Sequence, residues 1–370
     1  MRIAVNASIV DPYLSGLGVY TVNMVRELSR LHSDLTVYTA YPELEDFRSV
    51  TARRVWRGVG PSGGWRGHLA RLLWLQVALP FRLRADRAAL LLSPLPEGIF
   101  LPRVPQVVVV HDLIPLHFPE AFPRQTIYFR HLIPLLLRRS RIVLADSEST
   151  REDLRQCYRL DGRRIQVVPV GYDHRRFHPD VDPEPLRTQL GLAPYLLYVG
   201  NLFPHKNLAG LLKTFARLAP SIPHRLVVVG KKDPRYYPAL SRDAERLGIG
   251  GRVHFLDYVG EQDLPALYAG ADLFVFPSLY EGFGLPPLEA MACGTPVVAS
   301  NTSSLPEVLG QSAILVDPLD IQALADAVEG VLSDPARRDR LRALGFERAS
   351  RFSWERSARQ LLNVLTCADT

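Results

Sequence analysis

The chain has 370 residues, enough for two domains of ordinary size that each bury a core. Apolar residues make up 47% and charged residues 22%, which excludes a disordered chain, and no apolar run approaches the ~20 residues that span a bilayer. The net charge of +6 asks for an anionic partner, and with lysine confined to Lys206, Lys213, Lys231 and Lys232, arginine supplies most of it.

Cys157, Cys293 and Cys367 lie far apart without a CxxC spacing, so neither a disulfide framework nor a zinc site is expected, and all three read as buried thiols. The N-terminus enters a strand, Ile3–Val5, without a charged and then apolar leader, which predicts a cytosolic protein. Asn301-Thr302-Ser303 would then carry no glycan.

That first strand leads through Ser15-Gly16-Leu17-Gly18 to a helix with Val22, Val25, Leu28 and Leu31 on one stripe. Two glycines at a strand-to-helix passage let backbone amides approach a ligand, although a plain turn fits too and the third glycine of a dinucleotide site is missing. Residues 50–90 are the least regular. Arg53, Arg54, Arg57, Arg66, Arg71, Arg82, Arg84 and Arg87 are interleaved there with Trp56, Trp65, Trp74 and Phe81. The pattern from Trp65 to Phe81 predicts a basic amphipathic helix broken at Pro80, either facing the core with a solvated arginine side or docking on an anionic membrane surface.

Strand-like Leu90–Pro94 and Gln106–Val110 follow, the second delivering His111-Asp112 at its carboxyl end, where open α/β sheets bind ligands. Strand Ile142–Ala145 leads to Ser149-Thr150-Arg151-Glu152, a capping-box pattern that opens a helix. After strand Ile165–Val168, the polar, proline-bearing stretch to about Pro185 reads as an interdomain hinge. Asp180-Val181-Asp182 spells a metal-binding DxD, but in a linker, so no metal site is expected.

Alternation then resumes: strand Tyr195–Val199, Gly200, Lys206 just before a helix from Asn207 to Leu218, strand Arg225–Val229, and further helices and strands to Val316. Alternation in both halves means parallel sheets covered by helices. A last helix begins at Ser353, with Trp354, Ala358, Leu361 and Leu365 on one face. The most informative stretch is Ala271–Val298: a buried strand, a loop carrying Glu281, a helix favoured by Pro286 and Pro287 with Glu289 in its first turn, a left-handed Gly294 and a second strand. The amides of Phe283, Gly284 and Leu285 point out of that helix start, an anion site. Flanking carboxylates fit a ligand that brings hydroxyls as well as phosphate, as a nucleotide-sugar does.

The string Glu281-Gly-Phe-Gly-Leu-Pro-Pro-Leu-Glu289, with seven residues between its glutamates, resembles the signature of the retaining family-4 glycosyltransferases of GT-B fold. The HDLIPLHFPE string from His111, VGNLFPHKN (199–207), RLVVVGKK (225–232) and SSLPEVLG (303–310) resemble other segments of that family, and the likeness is weak only from about 40 to 90.

The resemblance implies two Rossmann-like domains with parallel sheets facing across a cleft. Residues 1–175 would bind acceptor, residues 176–352 would bind donor, and 353–370 would cross back to the first domain. It further implies that Lys206 holds the leaving diphosphate, Glu289 the ribose hydroxyls, Glu281 the transferred sugar, and that His111 faces that sugar. The loop of Gly16 and Gly18 would close over phosphates. Asn201 stands where many members carry an arginine, and His205 where others do, so the diphosphate grip would rest on Lys206 and backbone amides with another arginine, not identifiable from the sequence, helping, and with no metal or other cofactor. The implied reaction is metal-independent transfer of a hexose, GDP-mannose being the first-choice donor, to a glycan or lipid-linked acceptor in surface polysaccharide or glycolipid synthesis. The enzyme would be cytoplasmic, or peripheral at the inner face of the membrane, with no nucleic-acid partner. A nucleotide-sugar epimerase or hydrolase of the same fold, and a non-catalytic nucleotide-sugar binder, are the alternatives.

Overall fold

The structure of the protein is a computed structural model that describes residues 1–12, 16–60, 63–191, 194–257, 259–260 and 262–369. The chain divides into two compact units, Met1–Gly171 with Trp354–Thr370, and Tyr172–Ser353.

The first unit is built on seven strands: β1 (Ile3–Asn6), β2 (Leu35–Thr39), β3 (Thr51–Arg54), β4 (Leu90–Ser93), β5 (Gln106–Val110), β6 (Ile142–Ala145) and β7 (Ile165–Val167). They pair in the order β3-β2-β1-β4-β5-β6-β7, every pair parallel. Helices cover both faces, which is why β1, β4 and β5 are buried at every position and show no polar alternation.

The second unit repeats the plan with six strands: β8 (Tyr195–Val199), β9 (Arg225–Val229), β10 (Val253–Leu256), β11 (Leu273–Phe276), β12 (Val297–Ser300) and β13 (Ile314–Val316), ordered β10-β9-β8-β11-β12-β13 and again all parallel. In both sheets the chain winds outward from its first strand, returns and winds out the other way. The crevices where that direction reverses lie at the carboxyl ends of β1/β4 and of β8/β11, the places where doubly wound sheets receive ligands.

Helix α1 (Gly16–Leu31) buries Val22, Val25 and Leu28 and packs against the final helix, Trp354–Asp369. That helix turns Trp354, Ala358, Leu361 and Leu365 inward, none more than 7% exposed. Helix α2 (Gly64–Ala85) corrects two expectations. It runs on through Pro80, and its Arg71 is no part of a solvated face. The Arg71 side chain is 5% exposed and grips Glu97 with two bonds, Nε–Oε2 at 2.5 Å and Nη2–Oε1 at 2.7 Å, while Nη1 donates to the Val59 carbonyl.

Other departures are local. The passage between units falls at Gly171 rather than at 175, because Tyr172 already bridges to Ser353 and Phe177 stands edge-on to Tyr268 at 5.8 Å. Residues 172–183, read as a hinge, therefore belong to the second unit, with Tyr172 and Phe177 buried in it, and a helix, Glu184–Leu190, follows. Asp182 accepts from the Glu184 amide at 3.0 Å, so the DxD string is a helix entry. The helix Glu148–Tyr158 is capped by Ser147, not Ser149, through the Thr150 amide. Cys293 is buried as expected, but Cys157 and Cys367 are exposed.

Candidate active site

The second unit assembles its site at the reversal between β8 and β11. Past β8 the chain makes a tight turn, Pro204–Lys206, fixed upstream by the Tyr198 hydroxyl donating to the Asn201 carbonyl at 2.9 Å. Asn201 itself is exposed, and its side chain accepts from the Phe203 amide at 3.3 Å. The loop can lie this low over the sheet because residue 230 is glycine: a Cβ there would fall 1.9 Å from the Gly200 carbonyl oxygen. Asn207 then takes a left-handed backbone, φ 54°, and its side chain caps the next helix, Leu208–Leu218, through the Gly210 amide.

The loop after β11 is tied to this turn by the Leu279 amide, which donates to the His205 carbonyl at 2.7 Å. The tie brings Lys206 and Glu281 together. Lys206 Nζ lies 2.5 Å from Glu281 Oε1, with the two side chains 11% and 9% exposed, and 5.2 Å from the Phe276 ring centre. Sequence reasoning assigned these residues to different parts of a ligand and did not foresee that each is the other's counter-ion. His205 beside them stays neutral, since burial first and the Lys206 charge second hold its imidazole down to about 3.

Glu281 is also positioned by its backbone. Its amide donates to Ser303 Oγ at 2.9 Å, and Ser304 Oγ donates to the carbonyls of Glu281 and Phe283, both at 3.0 Å. These serines, inside a segment noted only for its family likeness, are support the sequence did not single out. Gly284 then adopts φ +96°, a backbone conformation that favours glycine, and a Cβ there would also displace a Leu305 methyl group 2.6 Å away. It opens the helix Leu285–Ala292, and among the described residues the amides of Phe283, Gly284 and Leu285 donate to no protein acceptor. Amides at a helix start are oriented donors of the kind that bind anions.

Glu289 falls one turn later than expected: the first turn of that helix holds no acidic residue. Its Oε2 accepts from the Tyr268 hydroxyl at 2.9 Å. Burial pushes the carboxyl up to about 7, with the Tyr268 hydrogen bond and the Arg176 charge pulling the other way. Tyr268 and Arg176 were both missed, Arg176 because it lies in the stretch read as linker.

The first unit presents His111 at the end of β5. Its partner is not the adjacent Asp112, which caps the turn at the Ile114 amide, but Asp146 at the end of β6. The register explains this: Val110 pairs with Ala145, so the next residue on each strand stands side by side. His111 Nδ1 lies 2.6 Å from Asp146 Oδ2, and Nε2 lies 2.9 Å from the Pro94 carbonyl. Two acceptors on two nitrogens favour imidazolium. Burial alone would lower the His111 pKa, but the Asp146 charge and hydrogen bond outweigh it and raise it. Tyr20 closes the ring's edge at 4.5 Å.

Gly16 and Gly18 do not form a loop. Both belong to the first turn of α1, and neither has a positive φ that would demand glycine; Ser15 lies outside the described residues. Among the described residues no cluster of three or more His, Cys, Asp or Glu is arranged to hold a metal ion, and no helix is long and apolar enough to cross a membrane.

Known proteins match both halves. Residues 14–176 fit the family model described as Glycosyltransferase Family 4, and residues 187–348 fit the one described as Glycosyl transferases group 1. The O-antigen chain mannosyltransferase B of Escherichia coli is 33% identical over 267 residues, 70% of this chain and 69% of that protein. Among solved structures, the sucrose-phosphate synthase (tll1590) of Thermosynechococcus elongatus superposes with a TM-score of 0.80 at 23% identity, over 99% of this chain and 98% of the other. HepE of Anabaena, in complex with UDP and glucose, superposes with a TM-score of 0.79 at 23% identity, over 99% and 100%.

Proposed function

The chain is a glycosyltransferase of family 4 with the GT-B fold, and on that premise we propose that it moves a hexose from a nucleoside-diphosphate sugar to a glycan or lipid-linked acceptor, with retention of configuration and without a metal. The observation that carries the donor class is the buried Lys206–Glu281 pair beside the open amides of residues 283–285. Together they offer a diphosphate one ammonium and a helix start, and a sugar one carboxylate.

The parts divide the work. When the anomeric C–O bond breaks, negative charge grows on the departing diphosphate, and preorganised donors aimed at it are the largest available stabilisation. Lys206 turns from Glu281 toward the phosphate, which frees the carboxylate for the sugar hydroxyls. Glu289 accepts from the ribose hydroxyls. The acceptor oxygen bonds to the anomeric carbon on the face the diphosphate leaves, and its proton passes to the leaving phosphate oxygen. His111, held by Asp146 and the Pro94 carbonyl, is the first unit's candidate for facing the transferred sugar.

GDP-mannose is the first donor to test, because the Escherichia coli relative is a mannosyltransferase. The acceptor class follows from α2, whose exposed arginines and apolar side chains suit attachment to an anionic inner membrane surface and so a surface polysaccharide or glycolipid product. Incubation of the whole protein with labelled GDP-mannose and a bacterial lipid extract tests the reading, with and without EDTA. Labelled product of retained anomeric configuration, undiminished by EDTA, is expected. Release of free sugar without an acceptor would mark a hydrolase instead, and complete loss on chelation would overturn metal independence.

A further inference from the structure

At the end of the first sheet where the inner strands β4 and β5 begin, opposite the strand end that delivers His111, a groove of about 410 Å3 opens to solvent. Leu83, Ala88 and Ile99 make a buried floor, and Phe81, 71% exposed, makes one wall. Arg84, Arg87 and Arg103 complete the lining.

Several neighbouring arginines have a carboxylate partner. Arg53 pairs with Asp86, Arg54 and Arg57 share Glu43, and Arg71 holds Glu97. Among the described residues no carboxylate pairs with Arg84, Arg87 or Arg103. Three positive side chains without a carboxylate partner therefore line one groove with an apolar floor, a combination that attracts an anion carrying an apolar part. Arg87 also holds a left-handed backbone, φ 54°, at the position after a helix end where glycine is the unstrained choice.

The groove is continuous with a second feature. Phe81 is the last of Trp65, Leu69, Leu73, Val77 and Phe81, which recur every fourth residue along α2 with 49% to 71% of each side chain's residue exposed. Residues at that spacing form one ridge on a helix, and a row of large apolar side chains in water marks an interaction surface.

We propose that this groove binds the headgroup phosphate of an anionic phospholipid, with Arg84, Arg87 and Arg103 on the phosphate oxygens and an acyl chain along the Leu83, Ala88 and Ile99 floor. A free inorganic anion needs no apolar floor. An apolar protein partner would gain nothing from three uncompensated guanidinium groups. A phospholipid supplies both chemistries, and the ridge of α2 then enters the interfacial layer beside it. The inference rests on the reading that the enzyme works at a membrane and adds to it a defined headgroup site away from the donor residues.

Calorimetric titration of the full chain with dihexanoyl phosphatidylglycerol, kept below its micelle concentration, tests the groove with no bilayer present. Saturable binding is expected, weakened roughly tenfold or more by Arg84→Ser or Arg103→Ser, since each removes a charge-assisted hydrogen bond. Arg66→Ser, at the other end of α2, should leave it unchanged. Arg87→Gly should weaken lipid binding while raising the melting temperature, a combination that misfolding cannot produce. Nucleotide binding should be unaltered in all four variants. Equal losses in Arg103→Ser and Arg66→Ser would show diffuse attraction and overturn the site, as would inorganic phosphate binding as tightly as the lipid, or no saturable binding at all. Sedimentation with phosphatidylglycerol vesicles tests the membrane reading separately: short-chain lipid bound by a protein that stays off vesicles would sink that reading and leave the groove standing.

Discussion

Lys206 and Glu281 are two buried charges, each the other's ion-pair partner. Removing one partner of such a pair strands the other, a loss of about 3–5 kcal/mol. Both Lys206→Ala and Glu281→Gln should therefore lower the unfolding midpoint, yet they should part company on ligand. Lys206→Ala should weaken nucleoside-diphosphate binding roughly tenfold to a hundredfold. Glu281→Gln, by freeing Lys206 for phosphate, should bind bare diphosphate at least as well as wild type and lose turnover. Calorimetry beside a rate assay separates them, and parallel losses of binding would refute the division. Glu289 adds a pH test. With its pKa raised from 4.5 to about 7 by burial, its contribution to stability is fully present below 4.5 and is lost as pH rises through 7. Ligand hydroxyls favour the ionised form, so nucleotide binding should strengthen from pH 5.5 to 7, by up to roughly tenfold per pH unit, and level off above. Glu289→Gln should flatten that profile; an unchanged profile would remove Glu289 from the ribose. The identity of these residues was legible because carboxylates at fixed spacing around a glycine loop are a chemical pattern. Their partners Asp146, Tyr268, Arg176 and Ser303 were not, since each meets its residue through the fold, from 21 to 113 positions away, only once strands and loops are in register.

Elements with a buried face on both sides announced themselves. β5 and β11 are continuous apolar runs, and the structure buries every residue of each. β3, Thr51–Arg54, has no such signature because it is a sheet edge with three of its four residues exposed. Its neighbour β2 was overlooked although Leu-Thr-Val-Tyr-Thr suits a strand. The helix α2 was half legible. Its arginines and tryptophans suggested a helix, but neither its passage through Pro80 nor the turning of Arg71 inward can be seen in composition, because the acid that draws Arg71 in lies on the loop after β4. Burial alone would raise the Glu97 pKa, yet hydrogen bonds from Arg71 and His68 lower it. A lowered pKa contributes stability above the unfolded value and loses it as pH falls, so Glu97 should make the first unit acid-sensitive. Glu97→Gln should cost about 3–5 kcal/mol near neutrality by leaving Arg71 without its carboxylate, and less at a pH below the ordinary carboxyl range, at which Glu97 itself is protonated. Denaturant titrations at the two pH values check this, and an equal loss at both would contradict it.

At the scale of the molecule, alternation of strand and helix in both halves predicted two parallel sheets, and two were found, with the reversal points at which Lys206 and Glu281 now stand. The final helix belongs to the first unit although the whole second unit precedes it in sequence. Leu361→Ala, which empties a fully buried position facing α1, should destabilise the first unit by about 2–5 kcal/mol without changing nucleotide affinity in the second. Differential calorimetry with and without nucleotide would show one transition shifting and the nucleotide-stabilised one standing still; both shifting together would mean that the units do not unfold separately. The central claim remains that the β8/β11 reversal holds a nucleotide-sugar through Lys206, the 283–285 amides and Glu289. Titration of the wild type and of Lys206→Ala with GDP-mannose, GDP and UDP-glucose tests it most directly. The account predicts one saturable site for at least one nucleotide-sugar, weakened roughly tenfold or more in the variant. Wild-type binding that survives the loss of Lys206 intact, or no binding of any of the three, would contradict it.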